Sequence, residues 1–366
     1  MDLLHSPLHD RHVALGAKFA EFSGWSMPLE YAGGGVLAEH AAVRDAVGLF
    51  DVSHLGKVLV RGSGATAFLD SCLTNDLGRI QPGQAQYTLC CDEDGGTVDD
   101  IIVYLRNEFE AFLVPNAANA VAVVERLTAA APDGIEVTDQ HRQHAVLAVQ
   151  GTLSDEVLTA LDLPVDHDYM SFADGKVAGH ELTVCRTGYT GERGYELIVS
   201  SEGALDLWDA VFEAGEPRGI RACGLGARDT LRTEMGYPLH GQDITLDVTP
   251  NQARLGWAVG WKKDAFWGRD ALLAEKEAGP AWRLRGLVAV GRGIPRPGMM
   301  VTLTGDEAVG AVTSGTFSPT LRKGVGLALV SSTVPADAEV SVDVRGRREA
   351  FQLVAPPFVD PSVRES

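Results

Sequence analysis

The stretch that most constrains the fold runs from residue 95 to residue 116 and reads GGTVDDIIVYLRNEFEAFLVPN. Two glycines predict a turn, and the apolar run that follows predicts a strand. A short polar segment then predicts a reversal into a second strand, which ends at Pro115-Asn116. Asp99 and Asp100 stand directly ahead of the apolar run. The chain is therefore expected to contain a hairpin with two adjacent carboxylates in its first strand.

Side chains alternate between faces along a strand, so the two carboxylates point in opposite directions. Asp100 shares its face with Tyr104, and Asp99 lies on the other. Both faces look buried, and a carboxylate where water is scarce must be hydrogen-bonded, paired or functional. Two interpretations fit this pattern. One is an acid satisfied by the backbone amides of the Gly95-Gly96 turn, and the other is a site built on Asp100 and Tyr104.

Composition limits the class of protein and its partners. A chain of 366 residues with 45% hydrophobic and 22% charged residues is an ordinary globular composition, long enough for two or three domains. The formal net charge of -19 argues against a nucleic acid or an anionic membrane as partner, because both are themselves negative. Five cysteines without a C-x-x-C pair predict buried thiols, and neither a disulfide framework nor a metal site. With no signal-peptide pattern and no long apolar run, the sequence predicts a cytoplasmic protein.

The first 265 residues predict strand pairs and helices in alternation, without the long parallel series of a doubly wound sheet. Two strands around a Gly-Trp turn are expected over 18–31. Further strands are expected at 144–149, 176–185 and 193–200, and helices at 117–130, 154–161, 203–213 and 225–235. This pattern indicates an α+β fold with antiparallel sheets.

A second region follows a polar helix expected at 268–278. Gly, Pro and Asp separate six short apolar segments there, a spacing typical of a small β-barrel or sandwich. These segments lie at 284–290, 299–304, 308–314, 325–330, 339–344 and 349–354. We therefore expect one region over 1–265, a linker helix over 266–280 and a C-terminal β-barrel domain over 281–360.

Seven motifs occur in one order along nearly the whole chain, from about Ser6 to Val359. They read GWSMPLEY (24–31), LFDVSHLGK (49–57), GGTVDDIIVY (95–104), RTGYTGERGYEL (186–197), CGLGARDTLRTEMG (223–236), LGWAVGWKK (255–263) and GAVTSGTFSPTL (310–321). Together they resemble the aminomethyltransferase family, the T protein of the glycine cleavage system. The resemblance implies two interlaced folate-binding α+β subdomains with antiparallel sheets, followed by a C-terminal β-barrel.

The same resemblance implies a reaction and its partners. The family takes an aminomethyl group from the lipoyl sulfur of the H protein and transfers its carbon to tetrahydrofolate, releasing ammonia. By resemblance Asp100 is the catalytic carboxylate and Asp99 is its structural neighbour. A fixed carboxylate beside the reacting carbon stabilises the iminium-like charge that develops there and can hydrogen-bond the attacking amine. For Asp99 the interpretation of a carboxylate satisfied by backbone amides remains.

Folate needs polar contacts and flat walls, and the resemblance implies residues for both. Glu196 is expected to accept the paired N–H donors of the pterin edge. Asn116 is expected to make a polar contact with pterin or substrate, and Arg228 to hold either the folate tail or the pterin. The residues implied for the walls are Tyr87, Tyr104, Tyr189 and Trp257.

The sequence departs from the family pattern at two positions. Leu55 stands where the family usually has Met after Ser-His, a nearly volume-conserving change that predicts a slightly reshaped pocket wall. Val363 stands where the family often carries a tyrosine near the C-terminus. One polar contact to the folate tail is therefore in doubt.

Other functions would use the same fold. A folate-dependent demethylase needs no H protein, and the folate module of a dimethylglycine-type oxidase belongs with a flavin domain, for which 366 residues leave no room. A non-catalytic folate-binding protein of the iron–sulfur assembly type resembles K-G-C-Y-x-G-Q-E where this chain reads RTGYTGERGYE. A third alternative is a generic α+β scaffold that merely keeps the fold, and the presence of Asp100, Asn116, Glu196 and Arg228 together argues against it.

Charge is unevenly spread along the chain. Residues 281–348 carry nine Lys or Arg against five acids, a local charge of +4, which leaves -23 on the remainder. One interpretation is scattered solvated charge. The other is a docking surface for the H protein, since H proteins of this system tend to be acidic.

Overall fold

The computed structural model describes residues 2–303 and 307–360. Within these ranges the α-helices are α1 His9–Ala14, α2 Gly35–Asp45, α3 Ala65–Cys72, α4 Ala120–Ala130, α5 Ser154–Thr159, α6 Ala204–Gly215, α7 Leu225–Met235 and α8 Arg269–Ala278. The first fourteen strands are β1 Leu4–His5, β2 Ala17–Phe22, β3 Trp25–Tyr31, β4 Gly48–Asp51, β5 Val58–Arg61, β6 Gln84–Cys91, β7 Thr97–Asn107, β8 Glu110–Val114, β9 Glu136–Asp139, β10 His144–Gln150, β11 Phe172–Val177, β12 His180–Cys185, β13 Gly194–Ser200 and β14 Arg221–Cys223. The last six are β15 Trp282–Ala289, β16 Met300–Thr302, β17 Ala308–Ser318, β18 Lys323–Ser331, β19 Glu339–Val344 and β20 Arg347–Val354.

The strands form four sheets, and the predicted α+β class is confirmed. A three-stranded sheet has the order β1-β3-β2, a six-stranded sheet β11-β12-β13-β10-β4-β14 and a five-stranded sheet β6-β7-β8-β5-β9. The order β15-β18-β17-β16-β19-β20 closes into a barrel, so the C-terminal strands form a barrel and not an open sandwich. Pairing is antiparallel except between β1 and β3 and between β4 and β14. None of the helices in the described ranges is both long and apolar enough to cross a membrane.

The two α+β regions interlace because one sheet is built from a segment inserted between two strands of the other. β4 belongs to the six-stranded sheet, whereas β5 to β9 form the five-stranded sheet. The chain then returns as β10, which pairs with β4 and sets Leu147 opposite Asp51. The five-stranded sheet is therefore one continuous insertion, and the six-stranded sheet is assembled from segments on both sides of it.

The predicted hairpin over 95–116 is present as β7 and β8. On β7, Ile101 and Val103 pack into an apolar core together with Leu69 of α3 and Val123 of α4. The alternation along the strand puts Asp99 on this core face and Asp100 on the opposite one. The hairpin therefore presents one of its two carboxylates to the interior and the other to the surface between the sheets.

Two local predictions differ from the structure. The single strand expected over 176–185 is a hairpin of β11 and β12, whose turn is formed by Ala178 with φ of 51° and Gly179 with φ of 89°. The helix expected from residue 117 begins at Ala120, because Asn119 precedes the first helical turn and its side chain is bound elsewhere. Local periodicity predicts neither a short turn inside an apolar run nor the effect of a side chain whose partner is distant in sequence.

The barrel joins the first α+β region through buried polar contacts with α7. Arg232 donates from Nη1 to Asp243 Oδ2 at 2.8 Å and from Nη2 to Ser314 Oγ at 2.8 Å. Glu234 accepts from Ser318 Oγ at 2.5 Å and from Thr320 Oγ1 at 2.9 Å. Because Ser314 and Ser318 lie on β17, one helix of the first region holds one strand of the barrel.

Candidate active site

Asp100 lies on β7, opposite Leu89 of the neighbouring β6. Its carboxylate accepts a hydrogen bond from the Tyr87 hydroxyl at 3.0 Å and another from Asn116 Nδ2 at 2.7 Å. Tyr87 sits two residues along β6 from Leu89, so its side chain shares the face of Asp100. Burial raises the pKa of Asp100 above that of an ordinary aspartate. The site therefore holds a carboxylate oriented by a phenol and an amide.

Asp99 is fully buried on the other face and is satisfied by amide groups. It accepts from the backbone N–H of Asn116 at 2.9 Å, from Asn116 Nδ2 at 2.9 Å and from Asn119 Nδ2 at 2.7 Å. The prediction that the Gly95-Gly96 turn supplies the donors to Asp99 is wrong, because the Gly96 amide binds Asp92 Oδ1 at 2.7 Å. Burial and the neighbouring Asp100 raise the pKa of Asp99, while these amide donors oppose the shift.

Asn116 links the two carboxylates. Its Nδ2 lies 2.9 Å from Asp99 Oδ1 and 2.7 Å from Asp100 Oδ1, and it also reaches the Asp100 carbonyl at 3.1 Å. The chain arrives at this point from β8, directly after Pro115. Asn116 therefore connects the two acids, and its side-chain amide nitrogen already donates hydrogen bonds to both.

Aromatic rings surround the Asp100 side of the hairpin. Tyr87 stacks on Trp257 with 5.3 Å between ring centroids and 25° between planes, and Trp257 is 63% exposed. Tyr189 stacks on Tyr237 at 5.7 Å and donates its hydroxyl proton to the Pro238 carbonyl at 2.5 Å. The exposed face of Trp257 beside the half-buried Tyr87 gives a flat apolar surface that remains open to a ligand.

Tyr104 lies deeper than a pocket wall. It is only 2% exposed and meets the ring of Phe172 edge-on at 5.7 Å. Its hydroxyl lies 2.9 Å from Thr187 Oγ1, and Thr187 donates to Glu196 Oε2 at 2.5 Å. The structure therefore connects Tyr104 to the predicted site through Thr187 and Glu196.

Glu196 and Arg228 come from different elements, β13 and the first turn of α7. Glu196 is 9% exposed. The guanidinium of Arg228 lies 4.7 Å from the centre of the Tyr189 ring, and its Nη1 is buried without a hydrogen-bond partner among the described residues. Burial lowers the pKa of Arg228, while the Glu196 carboxylate counteracts that shift. An N–H donor without a partner beside a carboxylate suits a ligand with both acceptors and donors.

Leu55 is half-buried against the apolar core that contains Phe50 and Leu231. It follows His54, whose Nδ1 is also buried without a partner in the described part of the chain. The departure at Val363 lies outside the described residues. Leu55 is thus on an internal apolar surface, where a change from Met alters shape and not polarity.

Sequence reasoning missed two residues that bind the predicted ones and a third that binds one of those two. Thr187 holds Glu196, and Asn119 holds Asp99. His240 Nδ1 accepts from Asn119 Nδ2 at 2.9 Å. The spacing of Asn116 and Asn119 after a strand end was a local signal for two amides near one point. His240 had none, because it enters from a loop 121 residues away.

Comparisons with known proteins agree along the chain. Residues 8–263 match the model of the GCVT N-terminal domain, and residues 283–360 match that of the glycine cleavage T-protein C-terminal barrel domain. An aminomethyltransferase from Parafrankia sp. is 61% identical over 363 residues, which cover 99% of this chain and 100% of that protein. An aminomethyltransferase from Mycobacterium tuberculosis is 61% identical over 360 residues, covering 98% of this chain and 97% of that one.

A solved structure extends the agreement to three dimensions. The crystal structure of glycine cleavage system aminomethyltransferase T from Bartonella henselae is 34% identical, with a TM-score of 0.92. The match covers 98% of this chain and 99% of that chain. By sequence along its length and by fold, the chain belongs to the aminomethyltransferase family, the T proteins of the glycine cleavage system.

Proposed function

We propose that this aminomethyltransferase takes the aminomethyl group from the lipoyl arm of the H protein and passes its carbon to tetrahydrofolate. The products are ammonia, methylenetetrahydrofolate and dihydrolipoyl H protein. The observation that carries this proposal is the Asp100 carboxylate, held by Tyr87 and Asn116 beside an open aromatic surface. Family membership supports the same reaction.

In this proposal Asp100 is the catalytic residue. The transferred carbon loses its bonds to the ammonia nitrogen and to the lipoyl sulfur, which leaves as a thiol, and gains bonds to folate nitrogen. Each departure places positive charge near that carbon. An ionised carboxylate that is already oriented stabilises this charge without having to reorganise. Tyr87 and Asn116 supply that orientation, and the adjacent buried Asp99 holds Asn116 in place.

The residues that would hold the pterin are Glu196 and Arg228. The donor set suits the group, because a pterin edge offers paired N–H donors for a carboxylate and ring acceptors for the unpartnered Arg228 Nη1. Tyr87 and Trp257 would contact its flat face, and Leu55 would line its edge. We propose that Tyr104 and Thr187 act by orienting Glu196 and that Tyr189 supports the Arg228 guanidinium.

The turnover assay that tests this function combines aminomethyl-lipoyl H protein with tetrahydrofolate. We expect ammonia and methylenetetrahydrofolate to appear in equal amounts and to depend on both reactants. Formation of methylenetetrahydrofolate from a free methylated amine, with no H protein, would favour the demethylase instead. Folate binding without any turnover would favour a non-catalytic folate-binding protein.

Replacing Glu196 with glutamine should weaken tetrahydrofolate binding by roughly ten- to a hundredfold. A charged hydrogen-bond acceptor contributes about 1.5–3 kcal/mol, and each 1.4 kcal/mol is about tenfold in affinity. Quenching of tryptophan fluorescence on titration with tetrahydrofolate measures the change, because Trp257 is exposed on the proposed surface. Glu181→Gln is the matched control, since Glu181 is exposed on the neighbouring β12. Equal affinity of the two variants would contradict the pterin assignment.

We further propose that the basic stretch over 281–348 guides the acidic H protein to the site. Arg322 and Lys323 are exposed at the turn between β17 and β18, the strand pair that α7 holds through Ser318. Their charges therefore lie on the barrel close to the helix that carries Arg228. Complementary charges across an interface accelerate encounter and weaken with salt.

Reversing both charges in Arg322→Glu/Lys323→Glu should raise the KM for H protein about three- to tenfold at low salt. The difference from wild type should shrink as ionic strength rises, and the affinity for tetrahydrofolate should stay constant. The control variant Arg142→Glu/Lys176→Glu makes the same charge change at two exposed positions outside this stretch, and its KM for H protein should stay near that of wild type. A KM that does not respond to salt or to the first pair would exclude this docking surface.

We propose a cytoplasmic location and the domain division given by the sequence. All five cysteines are buried as free thiols, which suits a reducing compartment. The proposed division is a folate-binding region over 1–265, a linker over 266–280 and a barrel domain over 281–360. It is supported by α8, which lies between the two segments matched by the family models.

A further inference from the structure

A chain of hydrogen bonds leads from the Asp99–Asp100 pair to a histidine on a distant loop. Asn119 Nδ2 donates to Asp99 Oδ1 at 2.7 Å and lies 2.9 Å from His240 Nδ1. His240 Nε2 lies 2.9 Å from the carbonyl oxygen of Thr97, at the start of β7. The histidine therefore contacts both the first residue of the strand that carries the acids and the amide that holds one of them.

The donors and acceptors in this chain have one consistent arrangement. A carbonyl oxygen can only accept, so His240 Nε2 must carry the proton. In a neutral imidazole the other nitrogen then accepts, and it receives one proton of Asn119 Nδ2. The second proton of that amide goes to Asp99. Both protons of Asn119 Nδ2 are thus committed, and the amide cannot rotate without losing two bonds.

The position of Asp99, which Asn119 fixes, determines the position of Asp100 through Asn116. Asp99 binds both the backbone N–H and the side-chain amide of Asn116, so a fixed Asp99 fixes the Asn116 side chain. The same Nδ2 lies 2.7 Å from Asp100 Oδ1. A displacement of Asp99 would therefore move the group that orients the proposed catalytic carboxylate.

We propose that Asn119 and His240 are positioning residues for aminomethyl transfer: by fixing Asp99 and Asn116, they hold the Asp100 carboxylate in its reactive orientation. The inference rests on the proposed function. Neither residue needs to touch substrate, so their loss acts on the chemical step and leaves folate recognition by Glu196 and Arg228 intact. A small error in the position of a catalytic group is enough to reduce the rate substantially.

Two substitutions of His240 separate positioning from mere filling of space. His240→Asn keeps an amide oxygen where Nδ1 accepts from Asn119, whereas His240→Gln keeps a donor where Nε2 reaches the Thr97 carbonyl. We expect kcat to fall about tenfold in His240→Gln and less than threefold in His240→Asn. The KM for tetrahydrofolate should change less than twofold in both. A space-filling role predicts the opposite order, because glutamine is closer to histidine in volume.

A second readout is independent of turnover. In protein labelled with 15N-asparagine, the side-chain amide signals of Asn116 and Asn119 should shift in His240→Gln and stay near their wild-type positions in His240→Asn. Thermal unfolding of both variants checks that each is folded. Equal kcat values in the two variants, or Asn116 signals unmoved by His240→Gln, would overturn the inference. An inactive wild type with the expected NMR shifts would instead contradict the proposed function.

Discussion

Replacing Asp100 with asparagine should lower the rate of aminomethyl transfer at least about a hundredfold. The substitution keeps the shape of the side chain and removes its negative charge, which in the proposed mechanism stabilises the cationic carbon. Removal of one positioned electrostatic group costs about 10²–10³ in kcat. The new amide oxygen can still accept from Asn116 Nδ2 while its N–H groups face the Tyr87 hydroxyl, which can accept, so the variant tests the charge and not the hydrogen bonds. Affinity for tetrahydrofolate should change little, because the pterin contacts lie on β13 and α7.

The comparison that isolates this effect is Asp92→Asn in the same hairpin region. Asp92 accepts the Gly96 and Asp94 amides, and an asparagine oxygen can still accept both. We expect Asp92→Asn to retain most of its activity in the turnover assay with aminomethyl-lipoyl H protein and tetrahydrofolate. An Asp100→Asn enzyme as fast as the wild type would remove Asp100 from the mechanism.

Because burial raises the pKa of Asp100, wild-type activity should fall on the acid side at a higher pH than an ordinary aspartate would give.

Replacing Glu234 with alanine should lower the free energy of unfolding by about 3–5 kcal/mol. The Glu234 carboxylate is fully buried and accepts from Arg44 Nη2 at 2.8 Å, while His40 Nε2 lies 3.3 Å from it. Ser318 and Thr320 of the barrel complete its contacts. The truncation leaves these donors without their shared acceptor in an interior where each unmet charge is costly. Urea unfolding monitored by circular dichroism measures the change.

The control for this prediction is Glu156→Ala, which removes an exposed ion pair with Arg218. Surface pairs of this kind contribute about 0–1 kcal/mol.

The pH dependence of the free energy of unfolding gives a second test of the role of Glu234. Burial raises the pKa of Glu234, but the hydrogen bond and charge of His40 outweigh it and lower the pKa to about 2. Its contribution is then complete above the ordinary value of 4.5 and is lost as the pH falls towards 2. Glu234→Gln should lose less stability over that interval than wild type.

The central hairpin and the barrel could be predicted because their signals are local. Alternating apolar residues, the Gly95-Gly96 turn and the Pro115-Asn116 end fix β7 and β8 to within a few residues. The same alternation correctly separated the faces of Asp99 and Asp100. The family motifs then indicated how the sheets combine, which the structure confirms as two interlaced regions and a closed barrel.

Contacts between distant elements could not be predicted. Tyr104 shares the face of Asp100, but Phe172 and Thr187 cover it, and alternation does not say which element packs on a face. Sequence proximity predicts the turn at Gly95-Gly96 as the partner of Asp99, whereas the partners in the structure follow β8. His240 reaches the acids only because its loop runs beside the start of β7, a proximity that no periodicity records.

The insertion of one sheet into the other has a consequence for biosynthesis. β4 leaves the ribosome early, but its neighbour β10 is made about ninety residues later and its other neighbour β14 later still. At about 5–20 residues per second, the edges of β4 wait unpaired for several seconds while the inserted segment emerges. A nascent chain stalled in that interval would expose an apolar strand whose free edges can pair with another chain.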